Sequence, residues 1–111
     1  MDKVGMYRTH IKNILQQYGN YLPSSNEVET QYVFDTERDH YQLFQVGWEG
    51  YHWTHGCILH LDIKDNKIWI QHNGTEAGIA DELVSLGIPK DDIVLGFQHP
   101  YKRKYTGFAE R

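Results

Sequence analysis

The stretch His55–His72, HGCILHLDIKDNKIWIQH, decides the fold. Asp65-Asn66 separates two runs rich in apolar residues, and both residue types tolerate the positive φ that a two-residue hairpin turn requires. Such a turn pairs Lys64 with Lys67. Counting outward, Ile63 faces Ile68, Leu61 faces Ile70 and Leu59 faces His72, all on one side of the ribbon. The other side sets Asp62 against Trp69 and His60 against Gln71, with Ile58 next along. The first face is core. The second carries an indole and an isoleucine among polar neighbours, so something else is expected to cover it. That points to association rather than chemistry.

Working towards the N-terminus, Glu49-Gly50 marks a turn, and His40–Trp48 reads as a strand in which Phe44, Val46 and Trp48 share a face. A polar turn at Thr36–Asp39 separates it from a strand over 27–35, with Val28, Thr30, Tyr32 and Phe34 on one side. Leu22–Asn26, with a proline and two serines, reads as a loop. Ahead of it, Tyr7, Ile11, Ile14, Leu15 and Tyr18 recur at helical spacing over 3–19, and Gly19-Asn20 offers a stop.

Beyond the hairpin the period changes. Thr75 reads as an N-cap with Glu76 in the first turn, and Ile79, Leu83 and Leu86 make the apolar stripe of a helix over about 76–86. Gly87 closes it, placing Ile88 where a Schellman motif folds it back onto Leu83. Pro89 starts a short turn through Asp92, Ile93–Phe97 is a brief extended or helical segment, and 98–111 forms a tail. The expected architecture is one α+β domain over 1–111. An antiparallel four-stranded meander (about 27–73) packs in two layers against the N-terminal helix and the helix after strand 4.

At 111 residues, the chain is long enough for one hydrophobic core and too short for two. A 40% hydrophobic share argues against a disordered tail, and a net charge of −4 removes any global attraction to nucleic acid or anionic lipid. A single cysteine, Cys57, rules out an internal disulfide framework and fits a reducing compartment. Lys3, Arg8, His10 and Lys12 interrupt the first twenty residues, so no signal peptide is expected there, and no apolar run is long enough to span a bilayer. These readings point to a cytoplasmic protein.

The seven histidines (10, 40, 52, 55, 60, 72 and 99) have no CxxC or HExxH spacing, and the hairpin register puts His60 and His72 on opposite faces, so no metal is expected. Cys57 with His55 reads as a small buried hydrophobe rather than a thiolate and its base. HNGTEAG (72–78) lacks both glycine-rich phosphate motifs and reads as capping. Asp35, Glu37, Asp39 and Asp62 could supply an acid pair or Mg²⁺ ligands, but the first three fall in a turn beside Arg38, and the solvated-turn reading is preferred. No catalytic residues and no cofactor are therefore expected.

Tyr101-Lys102-Arg103-Lys104-Tyr105 is the one basic-aromatic cluster, able to neutralise about three phosphates. Without a helix-turn-helix pattern, the favoured reading is that the tail docks through Tyr101, Tyr105 and Phe108. Ile58, His60, Trp69 and Gln71 form the expected interface.

The segments FDTERDHYQL (34–43), VGW (46–48), HGC (55–57), HLDIKDNKIWIQHNGTE (60–76), GIADEL (78–83), GIPKDDIVLGF (87–97) and PYKRKYTGF (100–108) resemble the XisI-like family. That family comprises cyanobacterial proteins named as controlling factors for excision of the fdxN DNA element. The resemblance covers nearly the whole chain in order. It implies an α+β accessory protein, not an enzyme, acting beside a site-specific recombinase and a nuclease-like factor, XisH. The expected partners are a second copy in a dimer, the XisH-like protein, or both, with DNA contacted through the assembly and no membrane involved. Direct nucleic-acid binding by the C-terminal cluster is the alternative.

Overall fold

Asp2 starts the first helix by accepting a hydrogen bond from the Gly5 N–H at 2.8 Å. The computed structural model describes residues 2–22 and 27–111, and in it α1 runs Lys3–Tyr21. Its buried residues Tyr7, Ile11, Ile14 and Leu15 form the expected stripe. Gly19 does not stop the helix. It is buried, and a Cβ there would overlap the phenol of Tyr32, so the glycine admits a neighbouring strand instead. Past Leu22, the loop expected at Leu22–Asn26 lies outside the described residues.

Strand β1 (Val28–Asp35) pairs antiparallel with β2 (His40–Glu49) across a turn that Asp35 organises by accepting the Glu37 and Arg38 N–H groups, each at 3.0 Å. β3 (His52–Lys64) and β4 (Lys67–Asn73) form the opening hairpin, with Asp65 (φ 54) and Asn66 (φ 63) in left-handed backbone. The pairs Lys64–Lys67, Ile63–Ile68, Asp62–Trp69 and Leu61–Ile70 form as expected. Beyond them the register changes. His60 faces His72 and Leu59 faces Asn73, leaving Gln71 as an extra residue in β4. A second shift between Leu43 and Phe44 leaves Ile58 as an extra residue in β3.

The helix expected over 76–86 is shorter: α2 spans Ile79–Ser85. Thr75 is not its cap, because Thr75 and Asn73 build a separate turn. In that turn Asn73 Oδ1 accepts from the Thr75 N–H at 2.9 Å, and Thr75 Oγ1 accepts from the Ala77 N–H at 3.2 Å. The C-terminal expectation matches. Gly87 takes φ 97, its N–H bonds Val84 O at 2.9 Å, and Ile88 N–H returns to Leu83 O at 3.2 Å.

After a 3₁₀ turn at Lys90–Asp92, Ile93–Leu95 forms β5, which pairs in parallel with β4. The sheet is therefore five-stranded and mixed, in the order β1-β2-β3-β4-β5, rather than four-stranded and antiparallel. Three residues are too few to show a period of two, which is why the segment reads ambiguously in sequence. A short helix, α3 (Pro100–Arg103), follows, capped by His99.

Both main helices pack on one face. Tyr7, Ile11, Ile14 and Leu15 of α1 and Ile79 and Leu83 of α2 share a cluster with Tyr41, Leu43, Leu59, Leu61, Ile63, Ile68, Ile70 and Ile93. Each fully buried aliphatic side chain there contributes roughly 1.5–3 kcal/mol. Among the described residues, no helix is long and apolar enough to cross a membrane.

Candidate functional site

Strand alternation sends the side chains between those core positions to the opposite face, which carries no long helix among the described residues. This face differs from the open Ile58–His60–Trp69–Gln71 patch read from sequence. Because Ile58 is the extra residue of the β3 bulge, it packs against the helix-side core instead. Trp69 is only 9% exposed, clustered with Val94 and Ala109. His60 and Gln71 both hydrogen-bond Asp62. The four residues do not make one bare apolar surface.

The chain's own tail covers Trp69. Ala109 bridges to Val94, its N–H bonding Ile93 O at 2.9 Å, and Lys67 Nζ bonds the Arg111 carbonyl at 2.5 Å. Arg103 fixes the fold-back by donating to the carbonyls of Gln98 (3.1 Å), Gly96 (3.2 Å) and Glu110 (3.4 Å). Its guanidinium and the Lys64 ammonium both stack on the Trp69 ring, at 5.2 and 4.6 Å. The tail thus docks, and of the three residues expected to carry the docking only Phe108 does. Phe108 lies at the margin of the core, whereas Tyr101 and Tyr105 stay exposed with Lys104 against both rings, at 4.5 and 5.2 Å. Of the basic run, Lys102 and Lys104 face solvent, and Arg103 is engaged internally.

Between the tail and the far end of the sheet lies a polar cluster. Asp62, buried, accepts at one oxygen, Oδ1, from His40 Nδ1 (2.9 Å) and His60 Nε2 (2.8 Å). Gln71 Nε2 donates to its other oxygen at 3.1 Å. The hairpin register expected from sequence pairs His60 with Gln71 and gives no sign of His40 beside Asp62. Extrapolating from the Glu49–His52 end of the ladder would set His40 opposite Leu61; the Ile58 bulge shifts the register by one and brings Asp62 there.

At the far end, β2 and β3 outrun their neighbours. Pairing of β3 with β4 ends at Leu59–Asn73, so His52–Cys57 has no strand on that side among the described residues. Trp48 and Trp53 face each other across this arm with ring centres 5.3 Å apart, and they are 53% and 49% exposed. Phe44 and His55 stack next to them at 6.0 Å, and Tyr51 at the tip is fully exposed. The exposed aromatic surface expected at Trp69 lies on this arm instead. The signal was present in the shared face of Phe44, Val46 and Trp48, but only the pairing of Trp48 with Trp53 completes it.

The remaining candidates carry structure. Burial raises the pKa of the Cys57 thiol, which donates to Leu59 O at 3.2 Å, so it is not an activated nucleophile. Asp35 is held low by the Arg38 N–H and its guanidinium. Asp39 is held low mainly by two hydrogen bonds from Arg8, at 2.8 and 3.1 Å, and also accepts from the Tyr41 hydroxyl at 2.8 Å. Asp35 thus holds the β1–β2 turn together, and Asp39 ties it to α1.

Among curated proteins, none matches this chain. Two solved structures are similar along nearly their whole length. One is a XisI-like protein from Anabaena variabilis ATCC 29413, 46% identical, with a TM-score of 0.92 over 97% of this chain and 98% of that one. The other is described as the fdxN element excision controlling factor XisI of the same organism. It is 39% identical, with a TM-score of 0.88 over 99% of this chain and 100% of that one. The sequence model of the family described as XisI protein matches residues 1–110, and this chain belongs to that family.

Proposed function

We propose that this chain is an accessory factor in the excision of a DNA element, acting by protein association rather than by chemistry of its own. The β2–β3 arm is its docking surface. The role in excision comes from the relative named as an fdxN element excision controlling factor. The observation that carries the mechanism is the half-exposed Trp48–Trp53 pair on an arm with an unpaired strand edge. Paired tryptophans at the centre of a patch are the residue type that dominates interface energies, and a free edge adds main-chain hydrogen bonds on docking.

The occupant is a second copy of the chain or the nuclease-like family partner. The test is the double variant Trp48→Ser/Trp53→Ser. It should keep the thermal midpoint of the parent within about 4 °C, because both rings are already half in water. It should lose the oligomer in light scattering, or lose co-purification with the nuclease-like protein. Unchanged mass together with unchanged co-purification would overturn the reading.

A further inference from the structure

We infer that His40, His60 and Asp62 form a binding site for one divalent transition-metal ion of the zinc class. Among the described residues, their ligand atoms all lie within 4.8 Å of one another. The arrangement is more specific than proximity. Both imidazoles converge on the same carboxylate oxygen, His40 Nδ1 at 2.9 Å and His60 Nε2 at 2.8 Å, so two ring nitrogens and one carboxylate oxygen stand within ligand reach of one another. Here the second oxygen is taken by Gln71 at 3.1 Å, which fixes the carboxylate plane from outside.

The fold devotes two irregularities to this geometry. The Ile58 bulge brings His40 opposite Asp62, and the Gln71 bulge puts a carboxamide behind it. The three ligands stand on adjacent strands of one sheet, so little ordering is left for an ion to impose. Two imidazoles with one carboxylate suit zinc and its transition-metal neighbours rather than magnesium or calcium, and three protein ligands leave a position open to water. An ion would take the place of these two hydrogen bonds, each imidazole offering it the ring nitrogen that now faces Asp62. His40, half exposed, gives access. His72 faces His60 in the ladder but lies outside the set, which makes it a built-in control.

The test is titration of the untagged full chain with Co²⁺ and Zn²⁺. Wild type should take up one ion per chain, with visible d–d absorption for cobalt. With free ion at about a hundredfold over Kd, the thermal midpoint should rise by roughly 10 °C. His40→Gln and Asp62→Asn should abolish the spectrum while retaining the parent's far-ultraviolet dichroism, and His72→Gln should keep it. Gln71→Ala should weaken affinity about 10–100-fold. Absence of cobalt absorption at millimolar metal, or the same absorption in His40→Gln, would overturn the site. Neither outcome touches the association proposed for the Trp48–Trp53 arm.

Discussion

The guanidinium of Arg103 lies 5.2 Å from the centre of the Trp69 indole and holds the C-terminal tail over it. One side chain therefore both closes the second face of the sheet and withdraws a positive charge from the exposed tail.

Arg103→Ala removes that stacking together with donors to the carbonyls of Gly96, Gln98 and Glu110. The expected cost is roughly 2–3 kcal/mol, read as a lower urea midpoint. Trp69 should become accessible, so its fluorescence should be quenched more readily by acrylamide. Lys102→Ala and Lys104→Ala, on solvent-facing side chains, should stay within about 0.5 kcal/mol of the parent. A tail variant as stable as the parent would show that the fold-back contributes nothing.

The hairpin core was legible in sequence because its turn chemistry and its alternation agree: Asp65-Asn66 sets the register, and Leu61, Ile63, Ile68 and Ile70 follow from it. The Gly87–Ile88 cap was legible for the same local reason. What escaped was everything that depends on a bulge or on a distant partner. One extra residue at Ile58 turns that side chain into the core and realigns His40 with Asp62, and no residue type announces it. The same holds for β5, whose pairing with β4 depends on the length of the crossover, and for Trp69. A tryptophan whose neighbours on its own sheet face are polar (Asp62 across the ladder, Lys67 and Gln71 along the strand) reads as exposed until Arg103 and Ala109 are known to return across it.

Gly47 is the backbone position least able to change. It takes φ 147, and a Cβ there would meet the Glu27 carbonyl and Val28 Cα, main-chain atoms that cannot swing aside. Gly47 pairs with Val28, so Gly47→Ala must pry the start of β1 from the sheet. A loss on the order of 3 kcal/mol is expected, with early hydrogen exchange concentrated at the first residues of β1. The same substitution at Gly56, where a Cβ meets open space, should be close to neutral.

Two carboxylates anchor α1 to distant segments, and both fix the sign of the acid response. Asp39 is held below the usual range chiefly by hydrogen bonds from Arg8. At Asp92 burial opposes the charge, but hydrogen bonds from Tyr7 and Lys3 outweigh it and also hold the group low. An aspartate whose folded pKa is depressed stabilises fully above its unfolded value of about 3.9, and that contribution disappears as pH falls through the folded value. The variant Asp39→Asn/Asp92→Asn should therefore be less stable than the parent at pH 7, with the two converging below about pH 4. Urea midpoints across that range make the comparison. A gap that persists unchanged at the acid end would exclude this linkage.

The accessible charge of the tail also sets a ceiling on direct DNA binding. With Arg103 engaged at three carbonyls, only Lys102 and Lys104 of the basic run are free to meet phosphates. Each neutralised phosphate adds about −0.9 to the slope of log affinity against log salt, so two lysines allow a slope no steeper than about −2. On a chain of net charge −4, that contact should be weak at physiological salt. Fluorescence anisotropy with labelled duplex over a salt series tests this. Lys102→Gln/Lys104→Gln should flatten the dependence without lowering the urea midpoint, whereas Arg103→Ala should lower the midpoint first. A slope several-fold steeper in the parent would mean that a second basic surface, away from the tail, engages DNA.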